Sequence, residues 1–299
     1  MKKENLGPVC VLGATGFVGS AITDSLEQQN IDWIGTSRFE NDNPRIHSVS
    51  LDQQAKLVEL LTDYPTVINA MGSFKPADFE QNTKSVFQCF WDNLQLLSQI
   101  LAASPVEKMI HISSGGTVYG DTHGVPAKET DWLKPISWYG KAKAIEESIL
   151  EKAALQSGFD YKCARVTNPF GNSNFSTHGF IDVLINTIKN GGVFNTYSNP
   201  LYSRDFIHCD DMAKSILSIA IEKQREPVDI YNVGKGRSTR FVDILNLAKE
   251  IAPSLEYQLE RLDTDFDVIQ SNVNTSKLNA LNIETEKFES IKNYLIRKL

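Results

Sequence analysis

Three glycines spaced as Gly13-x-x-Gly16-x-x-Gly19 constrain this chain more than any other feature of its sequence. They follow a short apolar run at 9–12, which indicates a buried strand, and precede a helical pattern over 20–29. A turn between such a strand and helix places backbone N–H groups and the positive helix end beside a pyrophosphate. This context favours dinucleotide binding over a purely structural turn. The residues assigned to the cofactor here are Gly13, Thr15, Gly16, Phe17, Val18 and Gly19.

The end of the second predicted strand, at 32–36, distinguishes between the possible dinucleotides. An NAD-binding chain usually has an acidic residue at this point, which binds the ribose 2′-hydroxyl. This chain has Ser37 and Arg38 instead, and a hydroxyl with a guanidinium suits a 2′-phosphate. We therefore predict NADP(H) as the cofactor, with NAD possible. In the alternative interpretation Arg38 is a solvated loop residue, or stacks on adenine while NAD binds.

Two further predicted strands end in residues suited to a binding site. The strand at 66–70 leads into Met71 and Gly72, and the strand at 108–113 leads into a hydroxyl-rich segment that ends at Gly120. In an open α/β sheet, ligands bind beyond the carboxyl ends of the strands. The segment could also be a plain polar loop. From these strand ends and from the start of the helix predicted at 52–63, we assign to the cofactor Asp52, Ala70, Met71, Gly72 and Ser113.

Tyr139 and Lys143 are the candidate proton-handling pair. They are four residues apart, so on a helix they lie one turn apart on the same face. An ammonium beside a tyrosine hydroxyl favours the phenolate, which can exchange a proton with a substrate hydroxyl near neutral pH. Ser137 is predicted to cap this helix and Gly158 to end it. Because the spacing is common, an amphipathic helix with a surface tyrosine is the alternative.

Composition excludes several classes of function. The 299 residues carry a net charge of −7, so there is no basic footprint for nucleic acid, and anions must be held by local Arg and Lys residues. The four cysteines are far apart and fit no zinc spacing, which predicts free thiols and no metal. No apolar run is long enough to span a bilayer, and the N-terminus lacks a signal-peptide pattern. We expect a cytoplasmic protein.

Strands and helices alternate five times up to residue 166. This order predicts an α/β fold with a Rossmann-type, doubly wound parallel sheet. We predict a dinucleotide-binding domain over 1–166. Residues 167–299 are expected to form a smaller substrate-binding lobe, partly interleaved with the sheet. A cleft between two such units is the usual place for a substrate.

Taken together, the motifs resemble the extended short-chain dehydrogenase/reductase family of nucleotide-sugar epimerases, dehydratases and reductases. The resemblance covers nearly the whole chain and depends on the order and spacing of the motifs. They are Gly13-Ala-Thr-Gly-Phe-Val-Gly19, Asn69-Ala-Met-Gly72, Ser113-Ser-Gly-Gly-Thr-Val-Tyr-Gly120, Tyr139-Gly-Lys-Ala-Lys143, Arg165-Val-Thr-Asn-Pro-Phe-Gly171, Arg204-Asp-Phe-Ile-His-Cys-Asp-Asp211 and Tyr231-Asn-Val-Gly234.

The resemblance implies a role for individual residues. Tyr139 would be the acid/base, and Lys143 would favour its phenolate and bind the nicotinamide ribose. Asn168 is similar to the family's asparagine that bonds a substrate phosphate. Arg204 is similar to an arginine that binds the pyrophosphate, and Arg261 to a second one with looser local spacing. Ordinary salt bridging between lobes is the alternative for both arginines.

The sequence departs from the family pattern in two places. The catalytic Ser or Thr of the family usually stands where this chain has Gly115, which has no hydroxyl. Thr117 is our first candidate to replace it and Ser114 the second; a weak or altered site is the other explanation. The second departure is Ser37-Arg38 in place of the ribose-binding acid. Because net reductions in this family draw on NADPH, that departure favours a reductase.

The resemblance implies a 4-epimerase acting on a nucleoside-diphosphate hexose, with an NADPH-dependent 4-keto-sugar reductase as the alternative. A dehydratase is less favoured, since Gly116-Thr117 replaces the Asp-Glu pair of that branch. A reductase of another small carbonyl compound and a non-enzymatic cofactor-binding protein stay open. Members of the family often dimerise through a helix bundle, and we predict a homodimer that uses the helices near 80–103 and 137–157.

Overall fold

The computed structural model describes residues 6–72, 74–172, 174–175, 177, 179–223, 226–260 and 268–299. In it, strand β1 (Val9–Leu12) runs into Gly13, whose φ of +80° lies in a region that side-chain-bearing residues rarely adopt. Helix α1 (Phe17–Gln28) follows at once. A Cβ on Gly19 would lie 2.1 Å from the Gly13 carbonyl oxygen. The helix can therefore approach the turn this closely only with glycine at that position.

The other strands vary from three to seven residues in length. They are β2 (Trp33–Ser37), β3 (Ile46–Ser48), β4 (Thr66–Asn69), β5 (Lys108–Ser114), β6 (Asp160–Val166), β7 (Asn168–Phe170), β8 (Val193–Tyr197), β9 (Ser203–His208), β10 (Val228–Val233), β11 (Ser238–Arg240) and β12 (Glu256–Glu260). The other helices are α2 (Gln54–Asp63), α3 (Pro76–Gln81), α4 (Thr83–Ala103), α5 (Trp138–Ser157), α6 (Gly179–Asn190), α7 (Cys209–Ile221), α8 (Phe241–Ile251), α9 (Ser276–Asn279) and α10 (Ile291–Lys298), with a 3₁₀ turn at Thr285–Lys287.

Seven parallel strands form the main sheet, in the order β10-β6-β5-β4-β1-β2-β3. The chain starts in the interior of the sheet and builds outward from β1 in both directions, which is the doubly wound arrangement. The predicted fold class is confirmed. All carboxyl ends of these strands lie at one edge, so the turns after β1, β2, β4 and β5 share that edge.

Helices cover both faces of the sheet, and side-chain alternation along β5 shows how. Met109 belongs to the hydrophobic core beneath α2, α4 and α5, whereas Ile110 belongs to the core beneath α1 and α7. By the same alternation, His111 and Ser113 face the α5 side. Two polar side chains of this strand are thus directed at the helix that carries Tyr139.

The chain after β6 builds a second core. Helices α6, α8 and α10 pack around a three-stranded sheet of order β11-β9-β7, and β8 pairs with β12. Strand β10 and helix α7 instead return to the main sheet, where β10 pairs with β6 and α7 packs on α1. The division at residue 166 stays a prediction. None of the described helices combines the length and hydropathy needed to cross a membrane.

Several element boundaries differ from the prediction. Helix α1 begins at Phe17 rather than at residue 20, because the chain enters it directly after the N-cap Gly16. Helix α2 begins at Gln54, two residues after Asp52. The helical structure predicted near 80–103 is divided between α3 and α4, since Asn82 leaves helical geometry with φ −131° and ψ 43°. Ser137 caps α5 and Gly158 ends it, as predicted.

A buried ion pair fastens α5 to the main sheet. Glu147 on α5 and Arg165 on β6 are both buried, and Arg165 Nη2 lies 2.8 Å from Glu147 Oε2. Ser113 on β5 donates a hydrogen bond to the same carboxylate. Arg165 Nη1 also donates to the Tyr119 hydroxyl at 2.8 Å, and that hydroxyl donates to Asn232 Oδ1 at 2.7 Å. One chain of hydrogen bonds therefore joins α5, β5, β6, β10 and the loop after β5.

Replacing Glu147 with alanine is expected to destabilise the protein by about 3–5 kcal/mol, because the Arg165 charge stays buried without its partner. The midpoint of urea unfolding, followed by circular dichroism, measures the loss. Glu151→Ala, one turn later on α5, is the matched control and should have a much smaller effect. Equal midpoints for the two variants would contradict the structural role of the ion pair.

Candidate active site

Tyr139 lies in the first turn of α5, where Ser137 Oγ accepts a hydrogen bond from Gly140 N at 3.1 Å. Its ring packs edge-on against Phe79 of α3, with the centroids 6.0 Å apart. A Cβ on Gly140 would come within 3.0 Å of the Thr117 carbonyl oxygen. The start of α5 is therefore tightly packed on the loop after β5. This packing brings Tyr139 and the segment with Thr117 to the same place.

Lys143 lies one turn beyond Tyr139 and is buried. Its Nζ donates to the Ile112 carbonyl at 3.2 Å and to Glu146 Oε2 at 2.7 Å. Burial alone would lower the pKa of the Lys143 ammonium, but the Glu146 carboxylate and Tyr139 raise that pKa above its ordinary value. Lys143 is thus a charged ammonium in a mostly apolar setting.

The loop after β5 explains why a glycine stands where a hydroxyl was expected. Gly115 N donates to the Val166 carbonyl at 2.7 Å, so the backbone runs directly against β6. A Cβ on Gly115 would lie 2.6 Å from the Arg165 carbonyl oxygen. The side chains of Ser114 and Thr117 are only partly buried, and Thr117 Oγ1 lies 2.8 Å from Ser114 Oγ. The two candidate hydroxyls therefore form one hydrogen-bonded pair.

Asn168 lies beside the same loop. It starts β7, and its Nδ2 donates to the Asp205 carbonyl at 3.1 Å. A Cβ on Gly116 would meet Asn168 Nδ2 at 3.2 Å, so the amide faces the loop between the two hydroxyls. Residues predicted from separate motifs are thus adjacent here. The role of Asn168 in phosphate binding stays a prediction.

Arg204 is buried in β9, in the C-terminal part of the chain. Its Nη1 donates to the carbonyls of Ser203 and Ile269 at 3.0 and 3.1 Å. The guanidinium also lies 5.7 Å from the Tyr202 ring centroid and 5.6 Å from that of Phe241. Backbone acceptors and aromatic faces therefore hold a cation in place. The other predicted arginine, Arg261, lies outside the described residues.

Three strand ends meet at the glycine turn. Ala14 N donates to the Thr36 carbonyl at 2.9 Å, and Ala70 N donates to the Leu12 carbonyl at 3.0 Å. A Cβ on Gly13 would lie 3.0 Å from the Ala70 carbonyl oxygen and from the Met71 Cα. The residues assigned to the cofactor after β1, β2 and β4 are thus contiguous in space.

The turn fits the pyrophosphate of a dinucleotide. The N-cap Gly16 carries no side chain, and the first turn of α1 contains no acidic residue. The positive end of the helix therefore faces the turn without a competing carboxylate. Phe17 is buried against Phe175, with ring centroids 5.6 Å apart, so it anchors the helix start. Val18 follows it in the same turn of helix.

The predicted ribose-binding residues differ in exposure. Ser37 is buried and lies 3.2 Å from the Thr15 hydroxyl, oxygen to oxygen, whereas Arg38 is exposed next to the ring of Phe39. Asp52 lies in the exposed turn before α2, where Ser50 donates a hydrogen bond to it. Arg38 is thus free to meet a charged group that approaches from solvent.

Gly72 and Ser113, both assigned to the cofactor from the sequence, lie in different surroundings. Gly72 lines an apolar cavity of about 60 Å³ beside Tyr139, together with Met71. The Ser113 hydroxyl bonds Glu147 within the buried network rather than facing the loop. The part of Ser113 in cofactor binding stays a prediction.

Sequence reasoning missed His111 and Glu146, which lie next to Lys143. His111 is fully buried, and its Nε2 is 3.6 Å from Glu146 Oε2. The available signals were a histidine inside an otherwise apolar strand and an acidic residue on the inward face of α5. Neither signal shows that the two residues contact each other unless the fold is known.

The sequence matches a model of the NAD dependent epimerase/dehydratase family over residues 9–234. Among its relatives, it is 25% identical to a putative UDP-glucose 4-epimerase of Methanocaldococcus jannaschii over 257 residues, which cover 81% of each chain. It is 24% identical to a dTDP-4-dehydro-6-deoxyglucose reductase of Escherichia coli, over 85% of this chain and 82% of that one.

The fold is also similar to solved structures. The UDP-glucose 4-epimerase of Thermus thermophilus, solved in complex with NAD, aligns with a TM-score of 0.85 over 97% of each chain at 20% identity. A score of this size over 97% of the chain extends the likeness to both the main sheet and the C-terminal core. The architecture seen here is therefore that of the matched structure.

Gly115→Ser is expected to lower the stability by about 1–3 kcal/mol, because the added Cβ meets backbone rather than a movable side chain. Thermal unfolding measures this effect. Gly192→Ser is the control, since its Cβ would find only ordinary contact, with Thr187 Cγ2 at 3.4 Å. A Gly115→Ser protein as stable as the parent would show that the loop does not follow the path described.

Proposed function

The chain belongs to the NAD-dependent epimerase/dehydratase family, and on that premise we propose that it is a nucleotide-sugar 4-epimerase. It transfers hydride reversibly at C4 of a nucleoside-diphosphate hexose. The observation that carries this proposal is the position of Tyr139, one turn before the buried Lys143 and beside the loop of Ser114 and Thr117. Relatives named as UDP-glucose 4-epimerases support the same reaction class.

The catalytic work of the chain is proton transfer. Tyr139, as phenolate, removes the proton of the C4 hydroxyl and returns a proton after the 4-keto sugar has turned its other face. The Lys143 ammonium favours the phenolate by its charge. The Ser114–Thr117 pair donates a hydrogen bond to the reacting oxygen in place of the hydroxyl missing at Gly115. When bound, the nicotinamide supplies the acceptor and donor of hydride.

Binding of the cofactor and of the substrate draws on separate parts of the chain. The glycine turn and the start of α1 hold the dinucleotide pyrophosphate, and Lys143 holds the nicotinamide ribose. Arg204 and Asn168 hold the substrate phosphates, with Arg261 as a further candidate. In a protein of net charge −7, such local cations are needed to bind a dianionic nucleotide sugar. The C-terminal part of the chain acts as the substrate-binding lobe.

We propose NADP(H) as the preferred dinucleotide. Ser37 and Arg38 occupy the end of β2 where an acid would select NAD, and the exposed Arg38 guanidinium can pair with a 2′-phosphate. The structurally similar Thermus thermophilus enzyme is bound to NAD, so NAD is the competing cofactor.

A 4-keto-sugar reductase is the second candidate function. Arg38 favours this function, because a net reduction consumes NADPH. The similarity to a dTDP-4-dehydro-6-deoxyglucose reductase also favours it. In that reaction Tyr139 donates its proton to the ketone oxygen as the sugar is reduced. The two functions use the same residues and differ in whether reduced cofactor is consumed.

We further propose that the protein is a homodimer formed through α4 and α5. The two helices pack on each other and expose Trp91, Trp138 and Ile145 on their outer surfaces. These exposed apolar side chains are the candidate interface residues. The cytoplasmic location expected from the sequence stays a prediction.

Tyr139→Phe is expected to lower kcat for UDP-glucose conversion by about 10²–10⁴-fold, since the proton acceptor is lost while the ring still packs on Phe79. Chromatography of UDP-glucose and UDP-galactose after incubation with NAD or NADP measures the rate. Tyr257→Phe, on the exposed strand β12, is the control and should keep the parental rate. A Tyr139→Phe enzyme with parental kcat would refute the proposed role.

Arg38→Ala is expected to raise the Kd for NADPH by about 10–100-fold and to leave the Kd for NADH unchanged. The lost interaction is a charge-assisted contact that only the 2′-phosphate can make. Fluorescence titration of bound reduced nicotinamide gives both constants. Arg297→Ala removes an exposed guanidinium on α10 and serves as the control. Equal changes for the two cofactors would contradict the assignment.

A further inference from the structure

A second acidic residue of α5 is directed at the Lys143 ammonium. The Glu146 side chain is 12% exposed, and its Oε2 lies 2.7 Å from Lys143 Nζ. Burial alone would raise the pKa of the Glu146 carboxyl, but the Lys143 ammonium holds that pKa below its ordinary value. The carboxylate is therefore an anion, and it neutralises the charge on which Tyr139 depends.

His111 lies beside this carboxylate, on the strand beneath it, without a hydrogen bond to it. Met71 N donates to Asn69 Oδ1 at 3.2 Å, which fixes the orientation of the Asn69 amide. The Asn69 Nδ2 group therefore donates to His111 Nδ1 at 3.3 Å, and the ring proton is on Nε2, 3.6 Å from Glu146. Burial lowers the pKa of His111 to about 4, so the ring is neutral and presents an N–H rather than a charge.

The surroundings of the pair strengthen the interaction. Tyr139, Lys143 and Glu146 line the same cavity of about 60 Å³, whose other walls are mainly apolar, so little water screens the charges. Helix α4 presents uncharged side chains to it, among them Asn93 and Leu94. The titratable and charged groups that face or adjoin the pair from the described elements are Glu80 on α3, His111 on β5, Glu147 on α5, and Tyr161, Cys163 and Arg165 on β6. Burial raises the pKa of the Tyr161 hydroxyl, so Tyr161 is uncharged.

Glu147 and Arg165 neutralise each other in the buried ion pair, and burial keeps the Cys163 thiol protonated by raising its pKa. Glu80 accepts a hydrogen bond from Trp138 N at the helix start. Glu146 is therefore the anion in direct contact with Lys143. Opposite charges 2.7 Å apart act on a neighbouring group as a dipole rather than as a full positive charge.

We propose that Glu146, with His111 beside it, is a positioning residue that pairs the Lys143 ammonium and so raises the pH at which Tyr139 accepts a proton from the substrate. This inference rests on the proposed function, in which Tyr139 is the acid/base. Glu146 keeps the tyrosine protonated over a wider range of pH. A protonated tyrosine suits the return of a proton to a ketone oxygen, which both candidate reactions require.

The test is the pH profile of Glu146→Gln. Removing the carboxylate restores the full Lys143 charge, so the acid limb of kcat/KM for C4 oxidation should shift to lower pH by about one unit. Glu146→Asp should restore the parental profile, and Glu107→Gln, an exposed acid before β5, should not move it. The tyrosinate absorbance of Tyr139 is the difference between the Glu146→Gln protein and the Glu146→Gln/Tyr139→Phe double variant. Titrated in the absence of substrate, this absorbance should show the same shift to lower pH.

An unmoved acid limb and unmoved tyrosinate titration in a folded Glu146→Gln protein would overturn the inference. The proposed function would still stand if Tyr139→Phe were inactive, whereas an active Tyr139→Phe would overturn both. If the Glu146→Gln protein does not fold, the His111→Phe variant makes the same test. This variant lacks the His111 Nε2–H beside the Glu146 carboxylate, and its loss favours the neutral form of Glu146. It should produce a smaller shift in the same direction, and no shift would overturn the inference.

Discussion

The buried ion pair between Glu147 and Arg165 is the interaction on which the geometry of the site depends. It joins α5 to β6 at 2.8 Å and extends through Tyr119 to Asn232 of β10. Because an unpaired buried charge is costly, α5 has little freedom to rotate or slide on the sheet. Tyr139 and Lys143 are therefore held in a fixed direction, eight and four residues before Glu147 on the same helix.

The rest of the site is built from strand ends that meet at one edge of the main sheet. Gly13 and Gly19 allow β1, α1 and the turn after β4 to come within a few ångströms of each other. Gly115 lets the loop after β5 run against β6, which leaves its hydroxyls at Ser114 and Thr117. The same requirement for close backbone approach thus shapes the glycine turn and the loop after β5. It also accounts for the departure from the family pattern at residue 115.

Local signals in the sequence were sufficient for the main elements and for the family. The glycine turn, the Ser137 cap and the Gly158 helix end each depend on a few neighbouring residues, and the structure has them where they were predicted. The short strands β7, β9 and β11 pair across long separations in sequence, so no local pattern indicated them. The contact between Glu146 and His111 was missed for the same reason, since 35 residues separate them along the chain.

In the proposed reaction, this chain moves hydride at C4 of a nucleotide sugar while Tyr139 transfers the proton. UDP-glucose with deuterium at C4, followed by mass spectrometry of the sugars and the cofactor, tests it most directly. We expect UDP-galactose to retain the deuterium and no reduced nicotinamide to accumulate. Deuterium that accumulates on reduced nicotinamide together with a 4-keto sugar, without labelled UDP-galactose, would identify the reductase, running in reverse, instead. Exchange of the C4 deuterium with solvent hydrogen would contradict hydride transfer and the account with it.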